Sequence, residues 1–163
     1  MYNKSMQDIR IVITSDSHGN KDRLLKVRSQ YDSSWIFLDC GDSCLSDKEI
    51  KQMGILSVQG NNDWYSAFPS YRVLEYGKHR IYMTHGHNVM FFNRYDMLAK
   101  EAKKYGCDIA LCGHSHIPHE EVVDGILCLN PGSLLRNRDL SDPSYLTLIL
   151  HEEGMDIQKH TLK

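Results

Sequence analysis

The chain predicts an α/β fold built from two mixed β-sheets packed face to face with helices outside. Three observations carry that expectation. Apolar β-branched runs alternate with short amphipathic segments through the first third of the chain, later segments read as antiparallel hairpins, and one apolar run after another stops at a polar residue. A single doubly wound sheet is the alternative arrangement of the same elements.

The first strand is Ile9-Arg10-Ile11-Val12-Ile13-Thr14, whose β-branched residues suit a pleated surface. It leads into Ser15-Asp16-Ser17-His18-Gly19-Asn20, so an acid and a histidine stand where the strand gives way to a loop. A surface helix follows from Asp22 to Gln30, with Leu24, Leu25 and Val27 between charged residues and Asp16 or Asn20 as its cap. Trp35-Ile36-Phe37-Leu38 is a short buried strand ending at Asp39-Cys40-Gly41-Asp42. Ser46 and Glu49 form a capping box for a helix that runs to Met53. The next strand, from Gly54 to Gln59, stops at Gly60-Asn61-Asn62-Asp63.

The rhythm then changes. Tyr71 to Tyr76 and His79 to Thr84 flank a Gly77-Lys78 turn and read as a hairpin, the second arm of which runs into His85-Gly86-His87. A helix from about Phe92 to Tyr105 is closed by Gly106. Cys107 to Cys112 is another apolar strand, and it ends at Gly113-His114-Ser115-His116. Four short strands complete the chain, Glu120–Val123, Ile126–Leu129, Tyr145–Leu150 and Met155–His160, with turns at Asp124-Gly125 and Glu153-Gly154.

Size and composition bound the function. At 163 residues, 41% of them hydrophobic and 25% charged, residues 1–163 are expected to form a single globular domain. The formal charge of −2 and the lack of a basic run argue against long nucleic acid and against a membrane surface as partners. Met1 to Asp8 is polar and no apolar stretch approaches the ~20 residues of a spanning helix, so the expected localisation is cytoplasmic. The five cysteines Cys40, Cys44, Cys107, Cys112 and Cys128 include no Cys-x-x-Cys pair and read as reduced, buried thiols.

Collected in order, the strand ends supply Asp16, His18, Asp42, Asn61, His85, His114 and His116. Each has an ordinary explanation alone: Asp42 and Asn61 suit turns, and a single histidine most often binds nothing. Five strand ends that all finish in metal-ligand types, with no cysteine among them, point instead to a metal site built from imidazole, carboxylate and amide.

The spacing Asp16-x-His18, Gly41-Asp42, Gly60-Asn61-Asn62-Asp63, His85-Gly86-His87 and Gly113-His114-Ser115-His116 resembles the ordered signature of the calcineurin-like metallophosphoesterases. The short chain, its Asn-Asn-Asp motif and Asn130-Pro131-Gly132-Ser133 resemble the compact YfcE-like phosphodiesterase branch. The resemblance implies a four-layer α/β/β/α sandwich with two divalent metal ions at the strand ends. By the same resemblance, Asp16, His18 and His116 would hold one ion, Asn61, His85 and His114 the other, and Asp42 would bridge them. Such a pair, about 3.5–4 Å apart, can share a hydroxide, acidify it to a nucleophile near neutral pH and clamp the phosphoryl oxygens of a diester. Mn²⁺ is favoured by resemblance, while the donor set equally admits Zn²⁺, Ni²⁺, Fe²⁺ or Co²⁺.

One departure bears on chemistry. Many relatives carry a histidine after the metal-binding asparagine, where this chain has Asn62, which can donate a hydrogen bond but cannot act as a general acid at neutral pH. His87 is the nearest replacement in sequence, and Asn62 and His87 are the candidate catalytic residues. Asp63 and Asn130 are expected to brace ligands, whereas Arg94, His119, Arg136 and Arg138 carry little signal. The expected activity is hydrolysis of a small phosphodiester or nucleotide-like substrate. The alternatives are a non-catalytic metal-binding scaffold, like the retromer subunit that resembles this branch, and a monoester phosphatase. No insertion caps the site, so it reads as open, and a homo-oligomeric partner could complete it.

Overall fold

The computed structural model describes residues 6–89 and 92–163. Its first sheet has the strand order β10-β9-β1-β2-β3, from β1 (Ile9–Thr14), β2 (Ile36–Asp39), β3 (Ile55–Ser57), β9 (Ser144–Leu150) and β10 (Met155–Thr161). The second has the order β4-β5-β6-β8-β7, from β4 (Tyr71–Tyr76), β5 (His79–Thr84), β6 (Ile109–Leu111), β7 (His119–Val123) and β8 (Ile126–Asn130). Both are mixed: β1, β2 and β3 run parallel, as do β5, β6 and β8, and antiparallel partners complete each sheet.

The layering follows from strand alternation. Ile11 and Ile13 of β1 point inward with Leu146 and Leu148 of β9, against Ile81, Met83, Ile109, Leu111 and Leu129 of the other sheet. Val12, between the two isoleucines, points outward with Phe37 and packs on Leu24 and Val27 of α1 (Lys21–Arg28) and Ile50 of α2 (Asp47–Gln52). On the far side, Tyr82, Ala110 and Cys128 meet Leu98, Ala99 and Ala102 of α3 (Arg94–Lys104). The order is helix, sheet, sheet, helix, the four-layer α/β/β/α sandwich, and not the single doubly wound sheet.

Local chemistry sets the helix ends. Asn20, not Asp16, caps α1 by accepting from the Arg23 amide, and the Ser46–Glu49 capping box of α2 forms as the sequence indicates. The helix expected to run to Gln30 ends at Arg28, and that expected from Phe92 begins at Arg94. The expected N-terminal segment lies partly outside the described residues. Cys40, Cys107, Cys112 and Cys128 are buried thiols, but Cys44 is exposed because it lies in the loop after β2 and not in an apolar run.

Asp39 ties the parallel ends of β1, β2 and β3 together. Its carboxyl accepts from Thr14 Oγ1 at 2.7 Å, from the Gly41 amide at 2.9 Å and from Ser57 Oγ at 3.3 Å. Full burial pushes this carboxyl up to about 7, against the hydrogen bonds from Thr14 and Gly41. Between the unfolded value of 3.8 and about 7 the folded chain holds a proton that the unfolded chain releases. Stability from this group is therefore complete below that window and lost as pH rises through it, at a rate of about 1.4 kcal/mol per pH unit. Asp39→Asn removes the titration, so the melting temperature of the variant relative to the parent should rise between pH 5 and pH 8. A difference that does not change with pH would contradict this account.

Candidate metal centre

Because β1, β2 and β3 run parallel in one sheet and β5 and β6 in the other, five strands empty their C-terminal loops at one edge of the sandwich. Asp16 and His18 follow β1, Asp42 follows β2, Asn61 follows β3, His85 follows β5, and His114 and His116 follow β6. All seven side chains meet.

They form two groups. In the first, His116 Nε2 lies 3.1 Å from Asp16 Oδ1 and 3.1 Å from His18 Nε2, which is itself 3.5 Å from Asp16 Oδ1. In the second, His85 Nε2 lies 2.9 Å from Asn61 Oδ1 and 3.2 Å from His114 Nδ1, which is 3.1 Å from Asn61 Oδ1. Asp42 stands between them, its Oδ2 3.3 Å from His85 Nε2 and 3.8 Å from His18 Nε2. The donor atoms of Asp16, His18 and His116, and those of Asp16, Asp42 and His85, lie within 4.8 Å of one another.

The chemistry of these donors fits a cation. His85 Nδ1 is 2.8 Å from the Cys40 carbonyl, which can only accept, so Nδ1 carries a proton and Nε2 turns toward Asn61, Asp42 and His114. Carboxylate oxygens, an amide oxygen and imidazole lone pairs at these separations repel unless a proton or a cation lies among them. Burial alone would raise the Asp16 carboxyl, but hydrogen bonds from His116 and His18 outweigh it and hold it well below the usual range. Burial likewise opposes ionisation of Asp42, yet His85 and the Asn62 hydrogen bonds hold it down to about 2. Burial and the neighbouring His85 push His114 down to about 4, so it presents a neutral imidazole at pH 7. His85 moves the other way: burial disfavours its charge, but Asp42 and Asp16 raise it. Two ionised carboxylates thus draw positive charge into a buried space.

The backbone is shaped for this convergence. Asp16, His18, Asp42, His114 and His116 have φ between 44° and 67°, the left-handed region that costs L-residues of order 1 kcal/mol or more and concentrates at functional sites. A Cβ on Gly60 would collide with the Asp42 carboxylate, and one on Gly113 with Ser15 and Asp16. Those two glycines let the loops of different strands close on each other.

A surrounding layer of hydrogen bonds fixes the candidate ligands. Asp63 accepts from the amides of Asp42 and Gly60, both at 2.7 Å, and of Cys44 at 3.0 Å. Asn130 Nδ2 donates to Gly113 O at 3.1 Å and to Ser115 Oγ at 3.0 Å, bracing the loop that carries His114 and His116. Ser15 Oγ donates to Asp16 Oδ2 at 2.6 Å and Ser133 Oγ to the Asp16 carbonyl at 2.7 Å. The roles of Ser15 and Ser133 carry no pattern in sequence, because short hydroxyls abound and only the fold selects these two. Asn62 donates from its backbone and from Nδ2 to Asp42, both at 2.8 Å. His87 is exposed at the rim, its ring 5.7 Å from that of His85 and 6.2 Å from that of His114. Arg94 is buried and donates to Gly86 O, His119 pairs with Glu121, and Arg136 and Arg138 lie on the surface.

Residues 9–153 match the family model of the calcineurin-like phosphoesterase superfamily domain. The chain belongs to that superfamily. A probable metallophosphoesterase of Mycoplasma pneumoniae is 33% identical, covering 88% of this chain and 91% of its own. A conserved Streptococcus pneumoniae protein described as a predicted phosphoesterase superposes with a TM-score of 0.88 at 30% identity, covering 96% of this calcineurin-like chain and 91% of its own. Two more distant structures share the fold. One is an archaeal phosphodiesterase, with TM-score 0.72 at 23% identity over 94% of this chain and all of its own. The other is Entamoeba histolytica Vps29 complexed with Zn²⁺, with TM-score 0.71 at 20% identity over 94% of this chain and 99% of its own. Among the described residues no helix is long and apolar enough to cross a membrane.

The close approach at Gly60 is testable apart from activity. Gly60→Ala should lower stability to urea by about 1–3 kcal/mol, the cost of overpacking. Gly154→Ala, where nothing lies within 4 Å of the added atom, should change it by less than about 0.5 kcal/mol. Equal effects would remove the steric argument.

Proposed function

We propose that this calcineurin-like phosphoesterase hydrolyses a small phosphodiester or nucleotide-like substrate at a centre of two divalent metal ions. The observation that carries the reading is the place of Asp42, one carboxylate between two groups of donors, at 3.3 Å from His85 and 3.8 Å from His18. Asp16, His18 and His116 would hold one ion and Asn61, His85 and His114 the other, with Asp42 shared. Bound there, two divalent ions would acidify water to a nucleophile near neutral pH and neutralise the phosphoryl oxygens.

The chain's own residues account for the rest. Asp63 and Asn62 hold Asp42 from two sides, through its backbone and its carboxylate, so its position is set before substrate arrives. Partial desolvation of its ring at the rim, together with the neighbouring His85, lowers the pKa of His87, which favours the neutral imidazole and makes it a poor proton donor to a leaving group. Asn62 cannot donate a proton either, so esters with good leaving groups are favoured. Mn²⁺ is the ion favoured by the family resemblance, while the imidazole, carboxylate and amide donors themselves equally admit Zn²⁺, Ni²⁺, Fe²⁺ or Co²⁺. Cys44 Sγ lies 3.9 Å from His18 Nδ1, the ring nitrogen opposite the one that faces the cluster, and so adds no thiolate to the donor set. The likeness to Vps29 supports the scaffold alternative only at the level of the fold, and the filled donor set favours the enzyme.

Chelation should abolish hydrolysis of an activated aryl phosphodiester, and added Mn²⁺ should restore it. Asn62→Ala should lose roughly 10–100-fold in kcat/KM, as expected for a residue that orients a ligand, and Asp42→Asn should lose more. Unchanged turnover in chelated protein, or the opposite ranking of the two variants, would refute the shared-carboxylate reading.

A further inference from the structure

On the phosphodiesterase reading above, we propose that the cleft between the loop after β2 and the loop after β3 is a subsite for a flat aromatic group of the substrate, a nucleobase in a nucleotide-like diester, with Trp64 as its stacking wall. The cleft has a volume of about 210 Å³, and Cys44, Asn62, Trp64 and Tyr65 are among its lining residues. That is room for one ring system and not for a run of nucleotides.

Its inner end touches the metal centre. Asn62 reaches from the cleft to Asp42 at 2.8 Å, and Cys44 Sγ stands 3.9 Å from His18. A group esterified to a phosphoryl unit held at Asp42 therefore has the cleft as a neighbouring place to lie.

Its outer wall is an anomaly on energetic grounds. Trp64 is 77% exposed and Tyr65 fully exposed, so two large rings stand in water directly after a ligand motif. Trp64 is nevertheless held in place, since its indole nitrogen donates to the Asn61 carbonyl at 3.0 Å. That bond occupies the ring's only polar atom and leaves apolar surface uncovered. The loop beneath it is rigid as well: Gln59 donates to the Asp63 carbonyl at 3.0 Å, and Ser66 N to the same carbonyl at 3.1 Å. Asp63 spans the two walls by accepting from Cys44 N on one and Gly60 N on the other. A fixed, uncovered indole beside an anion-binding centre is the arrangement that stacks bases, since every base offers a π-face. The lining also excludes a second phosphate. Its described residues include no lysine or arginine, and they include Asp47, whose carboxylate accepts from the Ala67 amide at 2.7 Å.

Two diesters sharing one leaving group test this: thymidine 5′-(p-nitrophenyl phosphate) and methyl p-nitrophenyl phosphate. Trp64→Ala should raise KM for the thymidine ester about tenfold, within the range for loss of one stacked base, with kcat within about twofold. KM for the methyl ester should change less than twofold, and Trp64→Phe should restore most of the thymidine preference. Equal effects on both esters would overturn the subsite. A second readout does not need turnover. Thymidine 5′-monophosphate should quench tryptophan fluorescence in the parent but not in Trp64→Ala, where Trp35 is the sole remaining tryptophan. Quenching without hydrolysis of either ester would keep the subsite and refute the phosphodiesterase reading. Hydrolysis without quenching or a thymidine preference would do the reverse and leave the exposed rings as a protein-docking surface.

Discussion

The structure depends on one constraint: lone-pair donors from five strand ends must be held within a few ångströms of each other although they repel. The fold meets it with parallel strand polarity in both sheets, which sends β1, β2, β3, β5 and β6 to a common edge. The apolar layer between the sheets, led by Ile11, Ile13, Ile81 and Leu111, fixes that edge independently of the side chains that reach across it. Burial of such residues is the dominant favourable contribution to folding, so the site is held by packing that lies well away from it.

The local geometry of the edge is unfavourable at every step, and the surroundings compensate. Five donors sit in left-handed backbone, two glycines permit contacts that a methyl group would block, and two carboxylates are buried. Asp63, Ser133 and Asn130 answer with hydrogen bonds to the backbone of the loops themselves. Charged and neutral partners divide the work: Asp42 and Asp16 draw charge onto His85, and burial together with His85 keeps His114 neutral. A divalent cation would satisfy the donors that protons satisfy only in part, which links the electrostatics of the centre to the superfamily it belongs to.

Trp64 and the donor cluster share a loop, so the place of the indole and the place of the Asn61 side chain are tied to one turn. The Asn61 carbonyl fixes the indole while its side chain faces His85 and His114, and Asn62 touches both the cleft and Asp42. Whatever sets the position of the Gly60–Asp63 turn sets both.

By itself the sequence determined the elements and the identity of the converging side chains. β-Branched runs, the Ser46–Glu49 box and polar residues after apolar strands are local signals, and local physics reads them directly. Resemblance to a known signature added the grouping of the ligands. Only the tertiary structure decided the rest. It showed that Asn62 is occupied with Asp42, that Cys44 is exposed, that Ser15, Ser133 and Arg94 brace the site, and that Trp64 stands uncovered beside it. These facts depend on contacts between residues tens of positions apart, such as Ser133 with Asp16, and no periodicity within a segment encodes which distant loop it will meet.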